Sequence, residues 1–221
     1  MSTRVYLIRH GATVLSAEDR FAGSTDVALS DEGREQAGLL GERLAEERIA
    51  AIYASPMGRT VETATLIGTP HPLTPILRPG LREISHGRWE GLTRHEVDAR
   101  YAEEYASWEE DPYLSAPEGG ETGLSVMSRA LPVLRDIVLA HRDQCVAVVS
   151  HKATIRLILC SLLGIDARGY RDRLDSSPAC LNVVDFKDPV RARLMVYNDT
   201  SHYTKAPRIS ESRLSSWWDK K

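Results

Sequence analysis

Short apolar runs and amphipathic helical stretches take turns along this chain. That alternation restricts the fold more than any other property of the sequence. Residues 3–8 (TRVYLI) form a short β-rich run that stops abruptly at Arg9-His10-Gly11. Ser30 is placed to cap a helix whose first turn carries Asp31 and Glu32, with Ala37, Leu40 and Leu44 on one face. Residues 49–54 read as a second strand, broken at Ser55-Pro56, and a helix is expected over 57–67. A short third strand is expected over 73–77, flanked by prolines.

The second half repeats the alternation. Residues 93–108 have a helical but highly charged pattern, and 111–123 are rich in Pro, Gly and Glu and read as loop. An amphipathic helix is expected over 125–141 and a buried strand over 144–149, ending at Ser150-His151. A helix over 153–163 follows, stopped by Gly164. Residues 182–186 and 194–197 read as a closing pair of strands. The order predicts an α/β three-layer sandwich with a mostly parallel central sheet flanked by helices. No repeat or linker divides the chain, so one domain is expected over residues 1–206. It has an insertion around 69–123 over the sheet, and a polar tail follows over 207–221.

Charge and apolar content exclude several classes of function. The formal net charge is −3 over 221 residues, which provides neither a general basic field for nucleic acid nor a polybasic handle for lipid. No stretch reaches the roughly 20 apolar residues of a membrane span, and the run after Met1 is too short for a secretory signal. The cysteines Cys145, Cys160 and Cys180 have apolar neighbours and read as reduced, buried thiols of a cytoplasmic protein.

The chemistry is expected at one sheet edge. Ligands of open α/β sheets sit beyond the carboxyl ends of the strands. Three such ends here deliver Arg9 and His10, then Arg59 after Ser55-Pro56, then His151. Two arginines, two histidines and helix N-termini at one edge suit a dianion such as a phosphate ester.

These residues also lie in recognisable motifs. RHGAT at 9–13, LSDEGREQA at 29–37, SPMGRTVETA at 55–64, REISHGRWEG at 82–91, GGET at 119–122 and VVSHKATIR at 148–156 occur in this order. Together they resemble the histidine phosphatase (phosphoglycerate-mutase-like) superfamily across roughly 5–203. The resemblance implies that His10 is the nucleophile that takes up the phosphoryl group. It implies that Arg9, Arg59 and His151 clamp the phosphate, that Thr13 lines the pocket, and that Glu83 is the general acid and then the base.

The implied chemistry is physically consistent. His10 must be neutral, with one ring nitrogen free and the other fixed. Planar guanidiniums grip phosphate oxygens in pairs. His151 serves best as a charged donor, and Glu83 needs a pKa raised toward the working pH. No metal and no cofactor are expected, since side chains supply the cations. His86, three residues after Glu83, resembles a feature of metal-independent phosphoserine phosphatases and is a candidate substrate contact. A structural role in the loop is the competing reading. His71, His95 and His141 are expected to face solvent.

Three positions depart from the common form: Ser16 stands where relatives often have Asn, Lys152 where they have Gly, and Ala12 where they have a polar residue. Lys152 either adds a cation to the pocket rim or points away. The partner implied is a small phosphorylated metabolite, and the resemblance also suggests a homodimer. A phosphoglycerate mutase of the same fold is the alternative, disfavoured by the compact segment between Glu83 and His151. An inactive phosphate-binding module is disfavoured by the presence of His10, Glu83 and both arginines.

Overall fold

The structure, a computed structural model, describes residues 2–14 and 20–204. Ser16 and the tail from Pro207 lie outside the described residues. Six strands make one sheet: β1 (Thr3–Arg9), β2 (Ile49–Ala54), β3 (Ile76–Leu77), β4 (Cys145–Ser150), β5 (Leu181–Phe186) and β6 (Ala192–Asp199). Their order across the sheet is β3-β2-β4-β1-β5-β6. The pairings β3–β2, β2–β4 and β4–β1 are parallel, while β5 runs antiparallel to both β1 and β6.

The period-two alternation of each strand explains why both faces are covered. Val5 and Leu7 of β1, Val146 and Val148 of β4, and Ala51 and Tyr53 of β2 enter one core. Helices α4 (Gly123–Ala140) and α5 (Lys152–Leu163) close that core with Val126, Ala130, Leu134, Ile155 and Leu159. Tyr6, Ile8, Ala147, Val149, Ile52 and Ala54 face the other way, against α1 (Asp31–Leu44) and α2 (Gly58–Gly68). Each fully buried aliphatic side chain contributes about 1.5–3 kcal/mol, so these two layers dominate stability.

A third, smaller core lies under the expected insertion. Phe21, Trp89, Val97 and Trp108 pack together, with Tyr101 and Tyr105 against them. Helix α3 (Arg94–Glu110) supplies most of it and is interrupted at Tyr101, whose backbone is not helical. The sequence marks its start well: Thr93 and Glu96 form a reciprocal capping box. A four-residue helix, α6 (Tyr170–Arg173), precedes β5.

Two expectations need correcting. The third strand is two residues, not five, because the proline at 72 and the one at 75 lack the N–H that a ladder requires. His141 does not face solvent: its Nε2 meets the Tyr53 hydroxyl at 2.8 Å and its Nδ1 meets Gln144 Oε1 at 2.8 Å. His71 is likewise half-buried, whereas His95 is exposed.

The turn after β1 crosses the start of α1 through two glycines. A Cβ on Gly11 would lie 2.3 Å from the Gly33 carbonyl oxygen, and one on Gly33 would lie 2.0 Å from the Ala12 oxygen. Both obstacles are backbone, so neither side can yield by a rotamer change. Gly33→Ala is therefore expected to destabilise the protein by about 1–3 kcal/mol. Urea unfolding monitored by circular dichroism measures this, and an unchanged midpoint contradicts the crossing.

Candidate active site

Strands β1 and β4 lie side by side, yet the helices that follow them pack on opposite faces of the sheet. A crevice opens at such a point. Register then fixes what lines it. Arg9 pairs with Ser150, the His10 N–H donates to the Ser150 carbonyl at 3.1 Å, and the next residue on each strand is a histidine. The rings of His10 and His151 stand edge to face, with centroids 5.2 Å apart. Strand β2 lies on the far side of β4, and Ser55 after it reaches His151 Nε2 with its hydroxyl at 2.8 Å.

His10 is buried, and its Nδ1 lies 2.7 Å from the Gly11 carbonyl oxygen. A carbonyl only accepts, so Nδ1 carries the proton and Nε2 keeps its lone pair. Burial, then the charges of Arg9 and Arg59, hold the His10 pKa well below 6.5. His151 is fully buried as well. Arg59 Nε donates to His151 Nδ1 at 3.3 Å, which leaves Nε2 as the protonated nitrogen facing Ser55. Burial, then the fields of His10, Arg59 and Arg9, press the His151 pKa well below 6.5, whereas the charged donor expected from sequence is the form a nearby phosphate favours.

The two arginines are held by backbone carbonyls. Arg9 Nη1 donates to the Ser176 carbonyl at 2.5 Å, and its buried Nε has no partner. Arg59 is 3% exposed and donates to the carbonyls of Thr25 and Gly23 at 2.8 and 3.0 Å. Burial lowers the pKa of both guanidiniums, and the charge of Arg9 also disfavours that of Arg59.

Glu83 is half-buried across the crevice at the start of α5. Its carboxylate accepts from the backbone N–H groups of Ala153 and Thr154 at 3.2 and 3.3 Å, and from that of Ile84 at 3.0 Å. It thus caps a helix that has no side-chain cap of its own. Arg129 of α4 fastens the loop beneath it by donating to the carbonyls of Gly80, Arg82 and Glu83 and to the Glu121 carboxylate.

The remaining candidates fall into place around this centre. Thr13 is half-buried and bridges to Leu29 through its backbone. His86 wedges edge-on between Phe21 and Trp108, with centroid separations of 4.9 and 5.9 Å. Its Nδ1 is buried without a partner, and burial lowers its pKa to about 4. Gly87 follows with φ of +49°, and a Cβ there would sit 2.1 Å from the Glu118 carbonyl oxygen, so only glycine permits this turn. Among the described residues, no group of three or more His, Cys, Asp or Glu is arranged to hold a metal ion.

Sequence reasoning missed the supports. Ser55 lies within a quoted motif, and the proximity of its strand to β4 is its only signal. Arg129 and the carbonyls at Gly23, Thr25 and Ser176 have no local signature.

The chain is similar to known proteins in both sequence and fold. The profile of the histidine phosphatase superfamily (branch 1) matches residues 5–200. Phosphoserine phosphatase 1 of Hydrogenobacter thermophilus is 36% identical over 163 residues, covering 74% of this chain and 77% of that protein. Glucosyl-3-phosphoglycerate phosphatase of Mycolicibacterium vanbaalenii is 34% identical over 169 residues, covering 73% and 75%. Among solved structures, Bacillus stearothermophilus YhfR superposes with a TM-score of 0.84 at 30% identity, covering 90% of this chain and 98% of that one. A mycobacterial glucosyl-3-phosphoglycerate phosphatase gives 0.81 at 27% identity, covering 90% and 99%.

The buried histidines make stability depend on pH with a definite sign. Their folded pKa values lie below the unfolded value of 6.5, so the unfolded chain binds protons first as pH falls. Stability is expected to be full above about pH 6.5 and to decline below it. For His86 the loss spreads between 6.5 and about 4. His86→Leu should flatten part of that decline in a series of thermal melts, and an unaltered slope contradicts a buried neutral ring.

Proposed function

The chain belongs to the histidine phosphatase superfamily, and on that premise we propose that it hydrolyses small phosphomonoesters through a phosphohistidine on His10. The observation that carries this reading is the His10 imidazole, neutral and fixed at Nδ1, with its free Nε2 in the field of Arg9 and the buried Arg59.

In the first step His10 Nε2 attacks phosphorus, forming the P–N bond as the ester P–O bond breaks. Phosphoryl transfer passes through a loose transition state, so positioning and fixed positive charge do most of the catalysis. Arg9 and Arg59 supply that charge, which is why no metal is required. The negative phosphate also reverses the local field at His151, favouring its charged, donating form. Glu83 gives a proton to the departing alkoxide. It then takes one from the water that attacks the phosphohistidine, returning both groups to their starting states. Thr13 and His86 line the space around the substrate. His86 is held rigidly enough by Phe21 and Trp108 to act as a fixed wall.

Phosphoserine is the first substrate to test, given the relative named for it and the presence of His86. Phosphate release from a panel of esters in EDTA, with wild type and variants, tests the reading. His10→Ala is expected to lower turnover by at least about 10³-fold. Glu83→Gln keeps an acceptor for Ala153 and Thr154 but cannot relay a proton, so a loss of about 10²–10⁴-fold is expected in kcat. Turnover that vanishes in EDTA, or that survives in His10→Ala, overturns the proposal.

A further inference from the structure

Glu90 follows the turn at Gly87–Trp89 and is half-buried, and no step of the reaction described above uses it. Its carboxylate is nevertheless crowded with donors. Oε1 accepts from the Ser24 N–H at 2.8 Å, the Ser24 hydroxyl at 2.7 Å and the His86 N–H at 3.1 Å. Oε2 accepts from the Thr25 hydroxyl at 2.7 Å, and the Ser85 hydroxyl lies 3.4 Å from Oε1. Burial disfavours the charge, but the bonds from Thr25, Ser24 and His86 outweigh it and hold the carboxyl below its ordinary pKa. The chain comes so close that a Cβ on Gly23 would lie 2.4 Å from Glu90 Oε1.

The loop held in this way is the one that aims Arg59. The Thr25 carbonyl accepts from Arg59 Nη1 at 2.8 Å and the Gly23 carbonyl from Nη2 at 3.0 Å. These two carbonyls flank Ser24, whose N–H and hydroxyl both go to Glu90. A guanidinium is planar, so a fixed acceptor on each terminal nitrogen fixes the plane. Asp26 ties one end of the loop to the start of α2 by accepting from the Gly58 N–H at 3.0 Å. Glu90 ties the loop on its other side, to a turn that is itself anchored. The Ser85 N–H donates to Glu121 Oε2 at 3.1 Å, the Glu121 N–H donates to the Ser85 carbonyl at 2.9 Å, and Arg129 pairs with Glu121 at 2.8 Å. One series of contacts therefore joins Arg129, which supports Glu83, to the carbonyls that hold Arg59.

We propose that Glu90 is a positioning residue for the phosphate clamp: through Ser24 and Thr25 it fixes the Gly23 and Thr25 carbonyls, which hold the Arg59 guanidinium in the plane that meets the phosphate. Glu90 acts through Arg59 and not on the substrate. Its hydrogen bonds, and not its charge, carry the effect. This inference rests on the phosphatase reading for the role of Arg59 and adds a residue to that machinery.

A double-mutant cycle tests it, with kcat/KM measured on the ester that the wild type turns over best. Glu90→Ala is expected to lower kcat/KM about ten- to a hundred-fold, the cost of a displaced binding group. Glu90→Gln still accepts from Ser24 and His86, and its amide can donate to the Thr25 hydroxyl, so it should stay within about three-fold of wild type. In an Arg59→Met background, Glu90→Ala should add no further loss, because no guanidinium is left to aim. An unchanged kcat/KM in Glu90→Ala overturns the proposal. A loss in Glu90→Gln as large as in Glu90→Ala also overturns it, since the charge would then be what matters. An equal loss with and without Arg59 shows a general scaffold role and overturns it as well. If Glu90→Ala does not fold, Thr25→Val at the exposed loop position removes one donor and should cost about three-fold. That loss should again disappear in Arg59→Met, and its persistence there or its absence in the wild-type background overturns the proposal. If the wild type hydrolyses no ester, the phosphatase reading fails by itself, and calorimetric binding of inorganic phosphate decides the role of Glu90. Binding weakened by Glu90→Ala only when Arg59 is present supports the proposal. Binding unaffected by Glu90→Ala, or none in the wild type, overturns it.

Discussion

The parallel pairing of β1 with β4 governs the rest of this structure. Arg9 opposite Ser150 sets the register, and a slip of one residue would turn every side chain of β1 to the other face. Both cores depend on that alternation, Val5 and Leu7 serving one and Tyr6 and Ile8 the other. The same register places His10 and His151 next to each other just beyond the sheet, where the chain leaves in opposite directions. Apolar packing, which is indifferent to chemistry, thus aligns the two histidines as a by-product of filling the interior.

Holding cations at that edge is costly, and the fold offsets the cost with backbone. Arg9 and Arg59 donate to main-chain carbonyls and not to carboxylates. A carbonyl satisfies the N–H groups without cancelling the charge, so the field survives for a ligand. Asp26 approaches Arg59 no closer than 4.0 Å and is itself largely exposed. Elsewhere the protein pairs arginine directly with acid, as in Arg171 with Glu109 at 2.9 Å and Arg4 with Asp185 at 2.7 Å. The contrast distinguishes arginines that serve the scaffold from those that present charge.

Much of this was legible in the sequence because it depends on local chemistry. The apolar runs locate the strands, Ser30 announces a helix start, and Gly164 ends one with φ of +67°. The motifs name His10, Glu83, Arg59 and His151, and the structure brings these side chains to one crevice. What the sequence left open depends on distance in the chain. The pairing of Arg156 with Asp175, and of Arg9 with the carbonyl of the next residue, Ser176, arises only after folding. The neutrality of His151 depends on burial between β2 and β4, and Arg129 becomes a support for Glu83 only once α4 packs beneath the loop.

The crossing of Gly11 and Gly33 also bears on how such a chain can change over generations. Most packing faults can be repaired by a second mutation, because the obstructing side chain can be exchanged for a smaller one. Here each position is blocked by the main chain of the other strand of the crossing, which every amino acid shares. No partner substitution makes room, so a side chain at either site cannot be accommodated by a compensating change at the other, and any relief must come from a shift of the backbone itself.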